Sequence, residues 1–163
     1  MDCTMPNAPH DERRIKIIAS NRRARHEYNV LETIEAGIEL VGPEVKSLRA
    51  GRANLSDAYG KFDGSELYIY QMHISPYDHA NRWNPDSIRK RRLLMHKNEL
   101  LRWMGKVAQK GLTIVPLQLY FLGSRVKIEV ALCQGKKLFD KRETIKRREQ
   151  DREMDRVIKH YKP

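Results

Sequence analysis

Residues 135–163 hold eleven Lys/Arg against six Asp/Glu and almost nothing apolar, so any packed structure in this chain must form without them. Burial is what offsets the entropy of ordering a chain, and the run KRREQDRE at 146–153 offers none. The segment therefore reads as a tail, disordered when free, that orders on a partner. That partner is polyanionic, because the tail supplies +5 of a formal net charge of +11 and would displace counterions from a phosphate backbone. Upstream, 21 Lys/Arg face 15 Asp/Glu, so positive charge extends beyond the tail and favours RNA or a ribosome over an acidic metabolite.

The 163 residues, 40% of them apolar, suffice for one domain, expected over 15–134 after a disordered leader at 1–14. Cys3 and Cys133 stand at opposite ends and form no disulfide framework; Cys133, without a paired base, reads as an inert small hydrophobe. There is no secretory apolar segment and no run long enough to span a bilayer, which predicts a cytoplasmic protein without membrane contact. Walker, GxGxxG, HExxH and GxSxG patterns are absent, and the six histidines lack paired ligand spacing. No enzyme, metal or cofactor is expected, although scattered carboxylates leave a small nuclease as a rival.

Alternating apolar residues at Tyr28, Val30, Ile34, Ile38 and Leu40 predict two strands, or one bent strand with a bulge at Gly37. Gly42-Pro43 precedes a short helix over 44–50 that stops at Gly51. Asp63-Gly64 marks a hairpin within 58–70, and Gly123-Ser124 another between 112–121 and 126–132. Between them, 75–92 reads as a long surface loop and 98–109 as a helix whose apolar face is Leu100, Leu101, Trp103, Met104, Val107 and Ala108. Short strands around one helix predict a mainly β fold, a small oligonucleotide-binding (OB) type barrel, with a sandwich as the alternative.

Two basic clusters are candidate RNA contacts. NRRARHEY at 21–28 places three guanidinium groups, an imidazole and an aromatic ring before a strand, suited to phosphates and unpaired bases. It reads equally well as a solvated turn with Tyr28 in the core. RKRRLLMH at 89–96 joins four cations to an apolar step, as a phosphate site or as a basic loop anchored by its leucines. In the tail, Met154, Val157, Ile158 and Tyr161 make a narrow helical stripe.

Those two blocks, with EAGIEL at 35–40, GPEVKSLRAGR at 42–52 and GKKLFDKR at 135–142, resemble the SsrA-binding protein (SmpB) family over most of the chain. The resemblance implies an OB-type barrel that binds the tRNA-like domain of transfer-messenger RNA, charged with alanine and carried with elongation factor Tu, and brings it to stalled ribosomes. It also implies a tail that becomes helical in the small subunit's decoding region and message channel. Carried over by motif, Glu35, Leu94 and Lys127 would touch the RNA, helped by Asn21, Arg23 and His26. Phe139, Asp140, Lys141 and Arg142 would meet the decoding region, and Val157 and Ile158 would lie in the tail helix. A carboxylate at 35 among phosphates makes sense only if it accepts from a base amino group or orients a neighbouring Arg. Phe139 stands where the family has Tyr or His, which keeps stacking and loses a polar contact. The rival binding protein is a general single-stranded or ribosomal RNA-binding barrel without a tagging role.

Overall fold

The computed structural model describes residues 15–136 and, in the tail, residues 145, 147, 149–150, 152–154 and 156. The expected leader, and the sites at Phe139, Asp140, Lys141, Arg142, Val157 and Ile158, lie outside the described residues. The elements run β1 (Ile15–Ser20), α1 (Arg22–Glu27), β2 (Tyr28–Ile38), α2 (Gly42–Arg49), β3 (Ala53–Asn54), β4 (Tyr59–Asp63), β5 (Glu66–Tyr70) and β6 (His73–Ile74). A 3-10 turn (Asp78–Trp83), β7 (Arg91–Leu94), α3 (Lys97–Lys110), β8 (Thr113–Leu122) and β9 (Arg125–Gly135) follow.

The strands close on themselves in the order β8-β4-β5-β7-β2-β9 and back to β8, with β1 sharing an edge of β8 with β4. All pairings in the ring are antiparallel. Closure removes the free edges that a sandwich would have to protect, and the barrel is of the OB type. Its interior is filled by Leu67, Ile69, Leu93, Leu119, Ile128 and Leu132, none more than 1% exposed, with Leu48 from α2 and Trp103 from α3. Gly60 lets β4 approach β8 closely, since a Cβ there would stand 2.6 Å from Ile114 Cγ2.

A register shift between Pro116 and Gln118 changes which side of β8 faces inward. Ile114, Leu119 and Phe121 enter the main core, whereas Val115 and Leu117 join Ala131 and Cys133 in a second cluster, to which α1 contributes Ala24. Burial pushes the Cys133 thiol up to about 11, so it stays protonated and inert at neutral pH.

Several expectations need correction. β2 is one strand, and its irregularity falls between Val30 and Glu32 instead of at Gly37. Gly37 is instead a point of close approach, with its absent Cβ 3.2 Å from Leu94 Cβ. The charged block 22–27 is helical, N-capped by Asn21, whose Oδ1 accepts from Ala24 N–H at 3.1 Å. The expected loop contains a 3-10 turn and runs into β7, whose Arg91 is fully buried. Apart from these corrections, the described tail residues are helical. Glu, Gln, Arg and Met are strong helix formers, and opposite charges such as Glu149 and Arg152 are spaced one turn apart. α3 follows its expected span, ending on a left-handed Gly111 at φ 58°.

Candidate functional site

Three sequence-distant strands bring Glu35, Leu94 and Lys127 together. In β2, Glu35 pairs with Glu129 of β9, and two residues on Gly37 pairs both with Lys127 and, on its other side, with Leu94 of β7. Side chains two apart on a strand share a face, so Glu35 and Lys127 point the same way. The Lys127 ammonium stands 3.2 Å from Glu35 Oε1, and the Tyr120 hydroxyl donates to Glu35 Oε2. Leu94 remains 50% exposed beside them. Together with His96 and Leu101, they line an open groove of about 700 Å³.

The electrostatics of this groove are fixed internally. The Tyr120 hydroxyl, helped by the Lys127 ammonium, holds the Glu35 carboxyl below the ordinary glutamate range, and together they outweigh the opposing effect of burial. Burial and the facing carboxylate raise the Tyr120 hydroxyl, which stays a donor. Glu35 is thus an ionised partner of Lys127, whereas the cation expected beside it was an arginine. Sequence reading missed Tyr120, because only the β8–β9 register that sets it opposite Lys127 reveals it.

The basic block before β2 lies elsewhere. From Tyr28 to Glu35 along one strand is about 23 Å at the usual rise. Arg22 and Arg25 are exposed on α1 without an ion pair among the described residues, His26 is half-buried, and Arg23 binds Glu27 at 2.9 Å. Asn21 is buried, and its amide is occupied by the cap on Ala24 and by donation to the Leu55 carbonyl at 3.0 Å. It shapes this end of the barrel and offers little to a ligand. Tyr28 packs against the second cluster.

The four-cation run 89–92 is not a free phosphate site, because each member has an acidic partner. Arg89 and Arg91 both bind Glu44, each with an N–O distance of 2.7 Å, while Lys90 binds Asp63 at 2.9 Å and Arg92 binds Glu39 at 3.0 Å. Glu44 and Arg91 are almost wholly buried, and Arg91 also donates to the carbonyls of Met72, Arg89 and Ser87. The run fastens the loop to α2 and leads into Leu94. Among the described residues no His/Cys/Asp/Glu group is arranged to hold a metal, and no helix is long and apolar enough to cross a membrane.

Comparison with known proteins finds similarity over most of the chain. The family model described as SmpB protein matches residues 18–160. An SsrA-binding protein of Pelotomaculum thermopropionicum is 54% identical over 145 residues, covering 89% of this chain and 95% of that protein. One from Carboxydothermus hydrogenoformans is 52% identical over 144 residues, covering 88% and 97%. A solved chain described as "tmRNA-SmpB: a journey to the center of the bacterial ribosome" is similar at a TM-score of 0.62 with 50% identity, over 74% of this chain and 85% of its own.

Proposed function

The chain belongs to the SmpB family of SsrA-binding proteins, and from that premise we propose that it is a non-enzymatic RNA-binding adaptor whose barrel and tail have separate tasks. The barrel binds transfer-messenger RNA and brings it to stalled ribosomes for rescue by trans-translation. The observation that carries the assignment is the convergence of Glu35, Leu94 and Lys127 on one groove. There an oriented ammonium meets phosphate, and an exposed Leu94 lies against a sugar or base face of the tRNA-like domain. Arg23 and His26 extend the contact at the far end of β2, with Asn21 holding that end in shape.

The tail reads as the ribosome signal. Phe139, Asp140, Lys141 and Arg142 meet the decoding region, and Val157 and Ile158 lie on a helix in the vacant message channel. Elongation factor Tu joins through the alanyl-charged RNA, in the cytoplasm. Division of the chain at about residue 135 follows from charge and burial, since the tail contributes +5 without an apolar core.

The test is binding to the isolated tRNA-like RNA. Glu35→Ala, Leu94→Asp and Lys127→Ala each cost on the order of 1–3 kcal/mol if these contacts have ordinary strength. Unchanged affinity in all three, with the fold intact by circular dichroism, rejects this face. Truncation after Gly135 leaves that binding in place with a flatter salt dependence and abolishes peptide tagging on stalled ribosomes. Full tagging by the truncated chain would reduce the protein to a general RNA-binding barrel.

A further inference from the structure

Between α1 and the turn at 54–58 lies a cleft of about 330 Å³, at the small end of the range of about 300–1,000 Å³ usual for ligand sites. Arg23, Tyr28, Asp57, Tyr59 and Thr113 line it. Tyr59 is stacked on Tyr70, with centroids 5.6 Å apart and 13° between planes, and is still 40% exposed. Stacking on Tyr70 occupies one face of the Tyr59 ring and holds it in a single orientation. The turn itself is fixed, since Ser56 N–H donates to Asn54 Oδ1 at 2.9 Å and Ala58 N–H to the Leu55 carbonyl at 3.1 Å. Asp57, exposed on that turn, makes no hydrogen bond or ion pair among the described residues, yet it is near enough to act on the Arg23 guanidinium.

The cleft therefore presents a held aromatic ring, a carboxylate with unspent acceptor capacity, and a guanidinium. A nucleotide offers their complements: a π face, an exocyclic amine and a phosphate. The tail's point of departure lies beside it, where Lys136 N–H donates to the Glu27 carbonyl at 3.1 Å and its ammonium to the Arg25 carbonyl at 3.3 Å. The cleft lies about 23 Å along β2 from the Glu35 groove.

We propose that this cleft is a second RNA site, which takes one unstacked nucleotide of single-stranded RNA with its base against Tyr59, its exocyclic amine on Asp57 and its phosphate at Arg23. The proposal rests on the RNA-binding reading above and adds a subsite to it. A carboxylate accepts from the amines of cytosine, adenine and guanine and repels the carbonyl edge of uracil, so the site discriminates against uridine.

The experiment uses the full chain and fluorescence anisotropy at one salt concentration, with labelled octacytidylate and octauridylate as probes and the tRNA-like RNA alongside. Octacytidylate binds at least about threefold more tightly than octauridylate, and Asp57→Asn removes that preference because an amide serves either base. Tyr59→Ala weakens both octamers roughly 5- to 150-fold, and Tyr59→Phe, which keeps the ring, restores them. Octamer affinities equal to the parent's in Tyr59→Ala, or a cytosine preference that survives Asp57→Asn, overturns the proposal while leaving the adaptor reading intact. Octamer binding with that preference and no binding of the tRNA-like RNA does the reverse.

Discussion

Replacing Glu44 by Gln removes the single charge that balances two guanidinium groups. The carboxylate, 3% exposed, accepts from Arg91 Nε at 2.8 Å, from Arg89 Nε and Nη2 at 3.0 and 2.7 Å, and from Val41 N–H at 3.0 Å. Arg91 cannot turn to water, because it is fully buried and already donates to the Met72 carbonyl at 2.7 Å. An amide keeps the volume but points an N–H₂ at one of these donors. Breaking one partner of a buried pair costs about 3–5 kcal/mol, against a total stability of about 5–15 kcal/mol for a domain. With a urea slope of about 1–3 kcal/mol/M, the unfolding midpoint falls on the order of 2 M. Equilibrium unfolding followed by tryptophan fluorescence reads this, with Lys90→Ala, which opens an exposed pair with Asp63 and a cation–π contact with Tyr68, as the control that moves the midpoint far less. The same experiment has a pH arm. Burial pushes the Glu44 carboxyl up, but the hydrogen bonds from Arg89 and Val41 and the charge of Arg91 outweigh it, so the carboxyl lies below its ordinary value. Its contribution is complete above an unfolded pKa of about 4.3 and is lost as pH falls through the lower folded value, a slope that Glu44→Gln lacks. A Gln variant within about 1 kcal/mol of the parent at pH 7 refutes the view that this pair holds the loop to the barrel.

Tyr120→Phe removes the largest influence holding the Glu35 carboxyl low, so its pKa rises toward the ordinary range in a carboxyl NMR titration. Gly60→Ala forces a methyl to within 2.6 Å of Ile114 Cγ2 and costs about 1–3 kcal/mol in thermal or urea unfolding. Gly37→Ala meets Leu94 Cβ at 3.2 Å and shifts that side chain within the groove, so affinity for the tRNA-like RNA falls while stability changes little.

Local signals in the sequence were readable wherever a side chain's own neighbours decide the structure. Gly111 after an apolar face marked the end of α3, and Asp63-Gly64 and Gly123-Ser124 marked both hairpins. β7 was hidden because a run of four cations reads as solvated, and only Glu44, 47 residues before Arg91, makes its burial tolerable. α1 was hidden by its charge as well, although Asn21 three residues before Ala24 is a capping signal that was there to use. The shift near Leu31 in β2 leaves no turn residue behind, so Gly37 drew attention that belonged elsewhere. At the groove, Glu35 and Lys127 were named through the family resemblance. Their proximity follows from a strand pairing across about 90 residues, which no local pattern encodes. Tyr120, set by the same pairing, had no such help.

One ladder of hydrogen bonds ties the groove to the place where the tail begins. β2 and β9 pair from Gly37 with Lys127 at one end to Tyr28 with Gly135 at the other. The offset between the Glu35 groove and the start of the tail is consequently a matter of register, held as a ruler holds two marks. A slip of two residues between these strands keeps every face correct yet moves one mark by about 7 Å relative to the other. The barrel thereby works as a gauge block. In the proposed adaptor, the position of an RNA bound in this groove reaches the tail as a fixed length, and no hinge within the ladder needs to move.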